Sequence, residues 1–250
     1  MSDMDHAADI TEIFSSIQGE GPHAGERMTF VRFAHCSLGC RYCDTPRGPC
    51  RSESLSVESP PRSERFEKRP NPVGASELCE ILADFDDDTI SVTGGEPLEQ
   101  ASFLAHWLPS IAHSRRILLE TNGTEADALD LVLPFVHVIS MDIKLPSSTG
   151  VRPLWAEHRA FLEKAAASRR EMYVKIVVTS ETSDRDVGEA IALVAGTNKY
   201  IPVVIQPASP TLSFHAPATA ERIEAVTRLF CAWLPDVRII PQMHKEWGVL

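Results

Sequence analysis

Cys36, Cys40 and Cys43 lie within "RFAHCSLGCRYCDT", the second cysteine four positions after the first and the third three after that. Spacings this short let one tight turn aim three thiolates at a single inorganic centre, either zinc or iron–sulfur. A structural zinc site wants four protein ligands, so His35, Cys50 or a distant residue would have to supply the fourth. No second CxxC pair occurs. On the triplet alone, zinc, iron–sulfur and plain structural cysteines stand level. A second stretch, "TGGEP" (Thr93 to Pro97), places two adjacent glycines where a buried strand ends. Such glycines let backbone approach a ligand closely, and with Glu96 they make a cradle suited to an amino-acid-like group. Taken by itself, the stretch reads better as a strand-to-helix turn begun by Pro97; the three-cysteine loop on the same rim is what favours the cradle.

The elements that must position these residues are legible as alternation. Strand-like runs occur at "MTFVRFA" (28–34), "TISVTGG" (89–95), "RILLETNG" (116–123), "VHVISMDIK" (136–144), "EMYVKIVVT" and "YIPVVIQP". Amphipathic segments near 75–84, 97–113, 125–133, 154–168, 184–195 and 217–233 separate or follow them, several opened by Ser, Asp or Pro. Six strands joined by helices call for a parallel sheet with right-handed crossovers, open or as an incomplete barrel, with ligands at the strand C-terminal ends. "CDT", "TGGEP", "ETNG", "DIK" and "QPASP" all fall at that rim. One segment breaks the pattern: "PRGPCRSESLSVESPPRSERFEKRPNP" (46–72) is rich in Pro, Ser and Arg and predicts a functional or disordered loop.

With 24 basic against 35 acidic residues, the net charge of −11 lacks the basic footprint of a protein that binds nucleic acid through phosphates. A small, compact substrate is favoured. No apolar run of transmembrane length and no secretory signal is present; the acidic "MSDMDHAADI" reads as a frayed end, and the expectation is a cytoplasmic protein. In a reducing compartment six cysteines do not predict a disulfide framework. Cys79 and Cys231, in helix-like apolar patterns, read as core.

The CxxxCxxC of "CSLGCRYC", the aromatic Tyr42 before its third cysteine and "GGEP" after the second strand resemble the radical S-adenosylmethionine superfamily. "EIFSSIQGEGPHAGERMTFVRFAHCSLGCRYCDT" narrows this, being similar to the 7-carboxy-7-deazaguanine synthases of queuosine and deazapurine biosynthesis. "SVTGGEPL", "LETNGT", "SMDIKLPSS", "VVIQPASP" and "PQMHKEWGVL" continue the likeness in order. The resemblance implies an incomplete (β/α)6 TIM-like barrel, one radical S-adenosylmethionine domain over residues 1–250, with 46–74 an excursion after the cluster loop.

It also implies roles. Cys36, Cys40 and Cys43 would hold a [4Fe–4S] cluster whose open iron binds the methionyl group of S-adenosylmethionine, which accounts for the missing fourth ligand. Thr45 would hold Mg2+, whose hardness suits a hydroxyl. Ile17, Gln18, Gly19 and Glu20 would contact a pterin, Arg32 would clamp its carboxylate, and Thr93 and the terminal Leu250 would join them. Tyr42, Cys43, Asp44, Gly95, Ser140, Lys144, Gln206, Pro207, Ala208 and Ser209 would surround the cofactor. By the strand pattern Asn122 and Lys175 point to the same rim, Asp142 reads equally as a structural strand-end residue, and His244 as a satisfied buried histidine. The apolar Trp247, Val249 and Leu250 suit docking of the chain end.

The implied chemistry is reductive cleavage of the sulfonium to a 5′-deoxyadenosyl radical, which takes a hydrogen from C6 of 6-carboxy-5,6,7,8-tetrahydropterin; ring contraction and loss of ammonia follow. A flavodoxin- or ferredoxin-type electron donor and a homodimer are the implied partners, with no nucleic acid and no membrane. A glycyl-radical activase shares the two main motifs but lacks "QGEGP" and "CDT". A non-catalytic zinc module is the alternative of another class.

Overall fold

Seven strands run parallel in one sheet because the chain returns by a helical or loop crossover before each new strand. The computed structural model describes residues 7–43 and 53–249. In chain order the strands are β1 (Ala7–Ala8), β2 (Ile10–Ile17), β3 (Arg27–Phe33), β4 (Ser54–Glu58), β5 (Phe66–Pro70), β6 (Val73–Gly74), β7 (Thr89–Gly94), β8 (Arg116–Thr121), β9 (Val138–Asp142), β10 (Glu171–Val178), β11 (Val203–Pro207) and β12 (Val237–Ile239). The helices are α1 (Ala75–Leu82), α2 (Ala101–Trp107), α3 (Ala126–Val132), α4 (Pro146–Thr149), α5 (Trp155–Ala167), α6 (Asp184–Asn198), α7 (Ala220–Cys231) and α8 (Met243–Trp247). Ten strands form one sheet in the order β12-β11-β10-β9-β8-β7-β3-β2-β4-β5, parallel from β3 to β12, which curls as the incomplete barrel expected of this pattern.

The period of two divides each strand between two layers. Outward residues such as Val31, Phe33, Ile90, Val92, Ile117, Leu119, Ile139, Val203 and Ile205 join the helices in the large core. There Phe33, Phe103 and Trp107 place their rings 6.0 to 6.4 Å apart. Inward residues Phe14, Met28, Phe30, Leu118, Val138, Tyr173 and Val204 close the floor of the barrel. Two residues further along the same strands, and four along β9, the inward positions turn polar, at Arg32, Glu120, Lys175, Gln206 and Asp142. An apolar floor under a polar wall makes the C-terminal rim a cavity instead of a core.

Three expectations change. The first strand is not frayed: β1 and β2 pair with β6 and β3, and Ala8 and Ile10 are fully buried. From residue 53 onward the Pro/Ser/Arg-rich excursion is ordered as the antiparallel β4–β5 hairpin, added to the sheet through β2. Its alternation is hidden because β5, "FEKRP", is an edge strand whose charged side chains stay exposed, a common protection of sheet edges. Cys79 packs half-buried against the core, but Cys231 is exposed at the end of α7, off the stripe that buries Val226 and Phe230. Among the described residues no helix is long and apolar enough to cross a membrane.

Candidate functional site

The cluster loop leaves β3 through two left-handed residues, His35 (φ 69°) and Gly39 (φ 65°), and closes with Cys43 N–H donating to the Cys40 carbonyl at 3.2 Å. Cys40 is buried, Cys43 half-buried and Cys36 exposed, and all three line one cavity of about 1370 Å³. Burial pushes the Cys36 and Cys40 thiols up from their ordinary value, a cost that a bound cation would reverse. Asn122 offers its amide to Cys36 Sγ at 3.8 Å.

The "TGGEP" turn is clasped to this loop by backbone. Gly95 N–H donates to the Phe33 carbonyl at 2.9 Å and Glu96 N–H to the His35 carbonyl at 2.6 Å. A Cβ at position 95 would run into that same His35 carbonyl, so glycine is what allows the contact. Glu96 departs from expectation: it is fully buried and does not line the cavity. Its carboxylate accepts from Leu98 N–H, Thr121 Oγ1 and Asn122 N–H (3.1, 2.8 and 2.6 Å), fixing the "ETNG" turn, while burial pushes its pKa up to about 7. His158 of α5, with no exposed surface, reaches under the same turn to the Asn122 carbonyl at 3.2 Å; burial pulls it down to about 4.

The opposite wall is assembled from distant parts of the chain. Gln18 donates to Glu120 Oε1 at 3.1 Å, which also accepts from Ser91 at 2.8 Å. Arg32 lies 3.4 Å from Glu12 and over the Phe14 ring. Lys175 pairs with Glu20 and, at 3.3 Å, with Asp142, which also meets Lys144 at 3.1 Å. Burial opposes charge on Glu20, Lys144 and Lys175; the Lys175 ammonium nevertheless holds the Glu20 carboxyl down to about 2, and the carboxylates keep both lysines well above their ordinary value. The C-terminal segment seals this side. Met243 N–H donates to the Gly19 carbonyl (2.8 Å), Gln242 donates to Glu20 (2.8 Å), and a side chain at Gly19 would collide with His244.

Of the residues expected from the sequence, Cys36, Cys40, Cys43, Ile17, Gln18, Gly19, Glu20, Arg32, Thr93, Tyr42, Gly95, Lys144, Gln206, Ala208 and Ser209 line the cavity. Asn122 and Lys175 line it too, as the strand pattern indicated, and Asp142 faces inward between two lysines. Ser140 lies one layer deeper, buried beside Tyr173, and Pro207 faces away from the cavity; neither lines it. His244 is half-buried against the cavity and not in the core, and Trp247 stays 44% exposed, so the segment docks through Gln242, Met243 and His244. Asp44, Thr45, Cys50 and Leu250 lie outside the described residues. Sequence reasoning missed Glu12, Glu120 and Gln242; for Glu120 the inward parity shared with Leu118 was the available signal.

The model of the radical SAM superfamily matches residues 30–194. The chain is 41% identical to the 7-carboxy-7-deazaguanine synthase of Geobacter sulfurreducens, over 97% of this chain and 98% of that one. It is 31% identical to that of Methanopyrus kandleri, over 94% and 92%. The chain belongs to the 7-carboxy-7-deazaguanine synthase family. In fold it is similar to the crystal structure of QueE from Escherichia coli (TM-score 0.62, 17% identity, 98% and 99% covered). It is also similar to a radical SAM methyltransferase from Sphaerobacter thermophilus (0.54, 14%, 92% and 77%).

Radical SAM membership implies a [4Fe–4S] cluster and S-adenosylmethionine, and the site suits both. Among the described residues no three His, Cys, Asp or Glu side chains stand close enough to share one metal ion. Cys36, Cys40 and Cys43 line one cavity together, and three soft thiolates suit a [4Fe–4S] cluster that keeps one iron open. Further round the cavity, Gln206 Oε1 and Asp142 Oδ1 are buried with no protein partner among the described residues, leaving polar capacity for a polar cofactor.

Proposed function

We propose that this member of the 7-carboxy-7-deazaguanine synthase family, acting as one radical S-adenosylmethionine domain, converts 6-carboxy-5,6,7,8-tetrahydropterin to 7-carboxy-7-deazaguanine with loss of ammonia. The observation that supports it best is a single cavity lined by the three cysteines, the Gly94–Gly95 turn, Gln18, Glu20, Arg32 and Glu120. When bound, the cluster and S-adenosylmethionine supply one-electron radical chemistry. The chain's own residues bind, orient and exclude water. Cys36, Cys40 and Cys43 hold the cluster; Tyr42, Gly95, Lys144, Gln206, Ala208 and Ser209 hold the cofactor. Arg32 offers paired donors to the substrate carboxylate, and Gln18 and the Glu20 and Glu120 carboxylates suit a ring edge rich in N–H donors. The docked C-terminal segment shields the substrate end from water.

In this reading Thr45 contributes to a Mg2+ site at the substrate carboxylate, and a flavodoxin- or ferredoxin-type protein delivers the electron to a homodimer. The test is anaerobic incubation of the reconstituted protein with S-adenosylmethionine, reductant, Mg2+ and the tetrahydropterin. The expected product is 7-carboxy-7-deazaguanine, with turnover reduced by EDTA and by Thr45→Ala. A fully reconstituted protein that cleaves S-adenosylmethionine yet leaves the pterin unchanged refutes the substrate.

A further inference from the structure

We propose that Lys175 is a positioning residue that couples the cofactor half of the cavity to the pterin half, so that each small molecule strengthens binding of the other. It rests on the reading that a pterin occupies the end bounded by Gln18, Glu20 and Arg32. Lys175 rises from the inward face of β10, in register with Asp142 of β9, and is 6% exposed. It holds Glu20 on one side and Asp142, at 3.3 Å, on the other. Glu20 continues to Gln242 at 2.8 Å, and Asp142 to Lys144 at 3.1 Å, whose ammonium lies 5.8 Å from the centroid of the Tyr42 ring beside Cys43. The chain Gln242–Glu20–Lys175–Asp142–Lys144 therefore crosses the cavity wall from the C-terminal segment to the cluster loop.

Two links in it can exchange partners. Asp142 accepts both lysines on Oδ2, while its buried Oδ1 has no partner among the described residues. Lys175 carries three N–H donors and feels Glu120 as well as its two ion-pair partners. An anionic group of the cofactor that takes up Lys144 leaves Asp142 to Lys175 alone. The hold of Lys175 on Glu20 then weakens, and a Glu20 oxygen becomes available to the N–H groups of a pterin. Occupancy at one end changes what the other end offers, and linkage makes the effect reciprocal.

The experiment measures S-adenosylmethionine affinity on anaerobically reconstituted protein, without reductant so that nothing turns over, in the absence and presence of the tetrahydropterin. In the wild-type protein the pterin is expected to tighten cofactor binding about tenfold. In Lys175→Met the coupling falls to about one while the cluster absorbance is retained, and Lys175→Arg restores part of it. Because Lys175→Met leaves the buried Glu20 carboxylate without its ion pair, the Glu20→Gln/Lys175→Met double variant is measured beside it and is expected to be equally uncoupled. Wild-type protein without coupling, or coupling that survives in either Met variant, overturns the proposal. Product formation separates the two readings: if the wild type makes 7-carboxy-7-deazaguanine but shows no coupling, only this inference falls; if it neither binds the pterin nor makes product, both fall.

Discussion

The two ends of the cavity are built by different physics. At the cluster end, short loops after β3, β7 and β8 are locked to one another through backbone groups: Gly95 and Glu96 N–H bond to the strand and loop that carry the cysteines, and the Glu96 carboxylate gathers the "ETNG" turn. At the end proposed for the substrate, the wall is made of polar and charged side chains from positions as distant as Glu20, Asp142, Lys175 and Gln242. Backbone clasps depend on having no side chain in the wrong place. Charge networks depend on every partner being present, because a charge left alone in a buried site is costly. Substitutions at the two ends should therefore fail differently.

The largest effect is expected from Cys40→Ala, which removes the most buried of the three thiols proposed to hold the cluster. The purified protein should lose its iron and visible absorbance, and no product should form. A variant that kept a full cluster would show that Cys40 is not a ligand. Next comes Gly95→Ala, whose added Cβ forces the β7 turn away from the His35 carbonyl. Overpacking of this kind costs about 1–3 kcal/mol, so cofactor affinity should fall by roughly 10- to 100-fold while the affinity for the pterin measured alone changes little. Arg32→Ala should do the reverse. Loss of a charge-assisted contact worth about 2 kcal/mol raises the pterin KM about 30-fold and leaves cofactor affinity near wild type, Glu12 being exposed enough to remain solvated. Equal losses of both affinities in Arg32→Ala would show that the two ends are not separable.

This contrast also explains what the sequence disclosed. The cluster end was legible because a local loop writes its requirements into adjacent letters: three cysteines, an aromatic residue, paired glycines. The parallel βα order was legible for the same reason, each strand carrying its own apolar run and its own polar tip. The substrate end was visible mainly through the family likeness of "SIQGEG", since nothing local in "YVKIVV" says that Lys175 pairs with Glu20. Parity placed Lys175 on the correct face, but its partners depend on strand register and on closure of the chain's C-terminal segment. The β4–β5 hairpin was hidden because a charged edge strand looks like a loop, and Glu96 was misplaced because a carboxylate that serves backbone N–H groups has the same sequence signature as one that serves a ligand.

The smallest effect, and the one that resolves the two ends most finely, is in pH. Glu96 and His158 both brace the "ETNG" turn and are shifted in opposite senses. Glu96 is pushed up from its ordinary 4.5 to about 7, so it binds a proton more readily folded than unfolded, and its contribution to stability falls as pH rises from about 4.5 to 7. His158 is pulled down from 6.5 to about 4, so its contribution is present above about 6.5 and is lost as pH falls toward 4. Each shift corresponds to at most about 3 kcal/mol, and in the wild-type protein they offset one another across this window. Glu20, held down to about 2, keeps its charge throughout and adds stability that is lost only as pH falls from about 4.5 through 2. Chemical denaturation of the variants between pH 7 and 4.5 should therefore tilt in opposite directions. His158→Gln should become more stable as pH falls, exposing Glu96, and Glu96→Gln less stable, exposing His158. Glu20→Gln should lower stability by a nearly constant amount over the same range, because the charge it removes belongs to the network at the other end and does not titrate there. Parallel profiles for the first two variants would mean that His158 and Glu96 do not titrate against each other under the cluster loop.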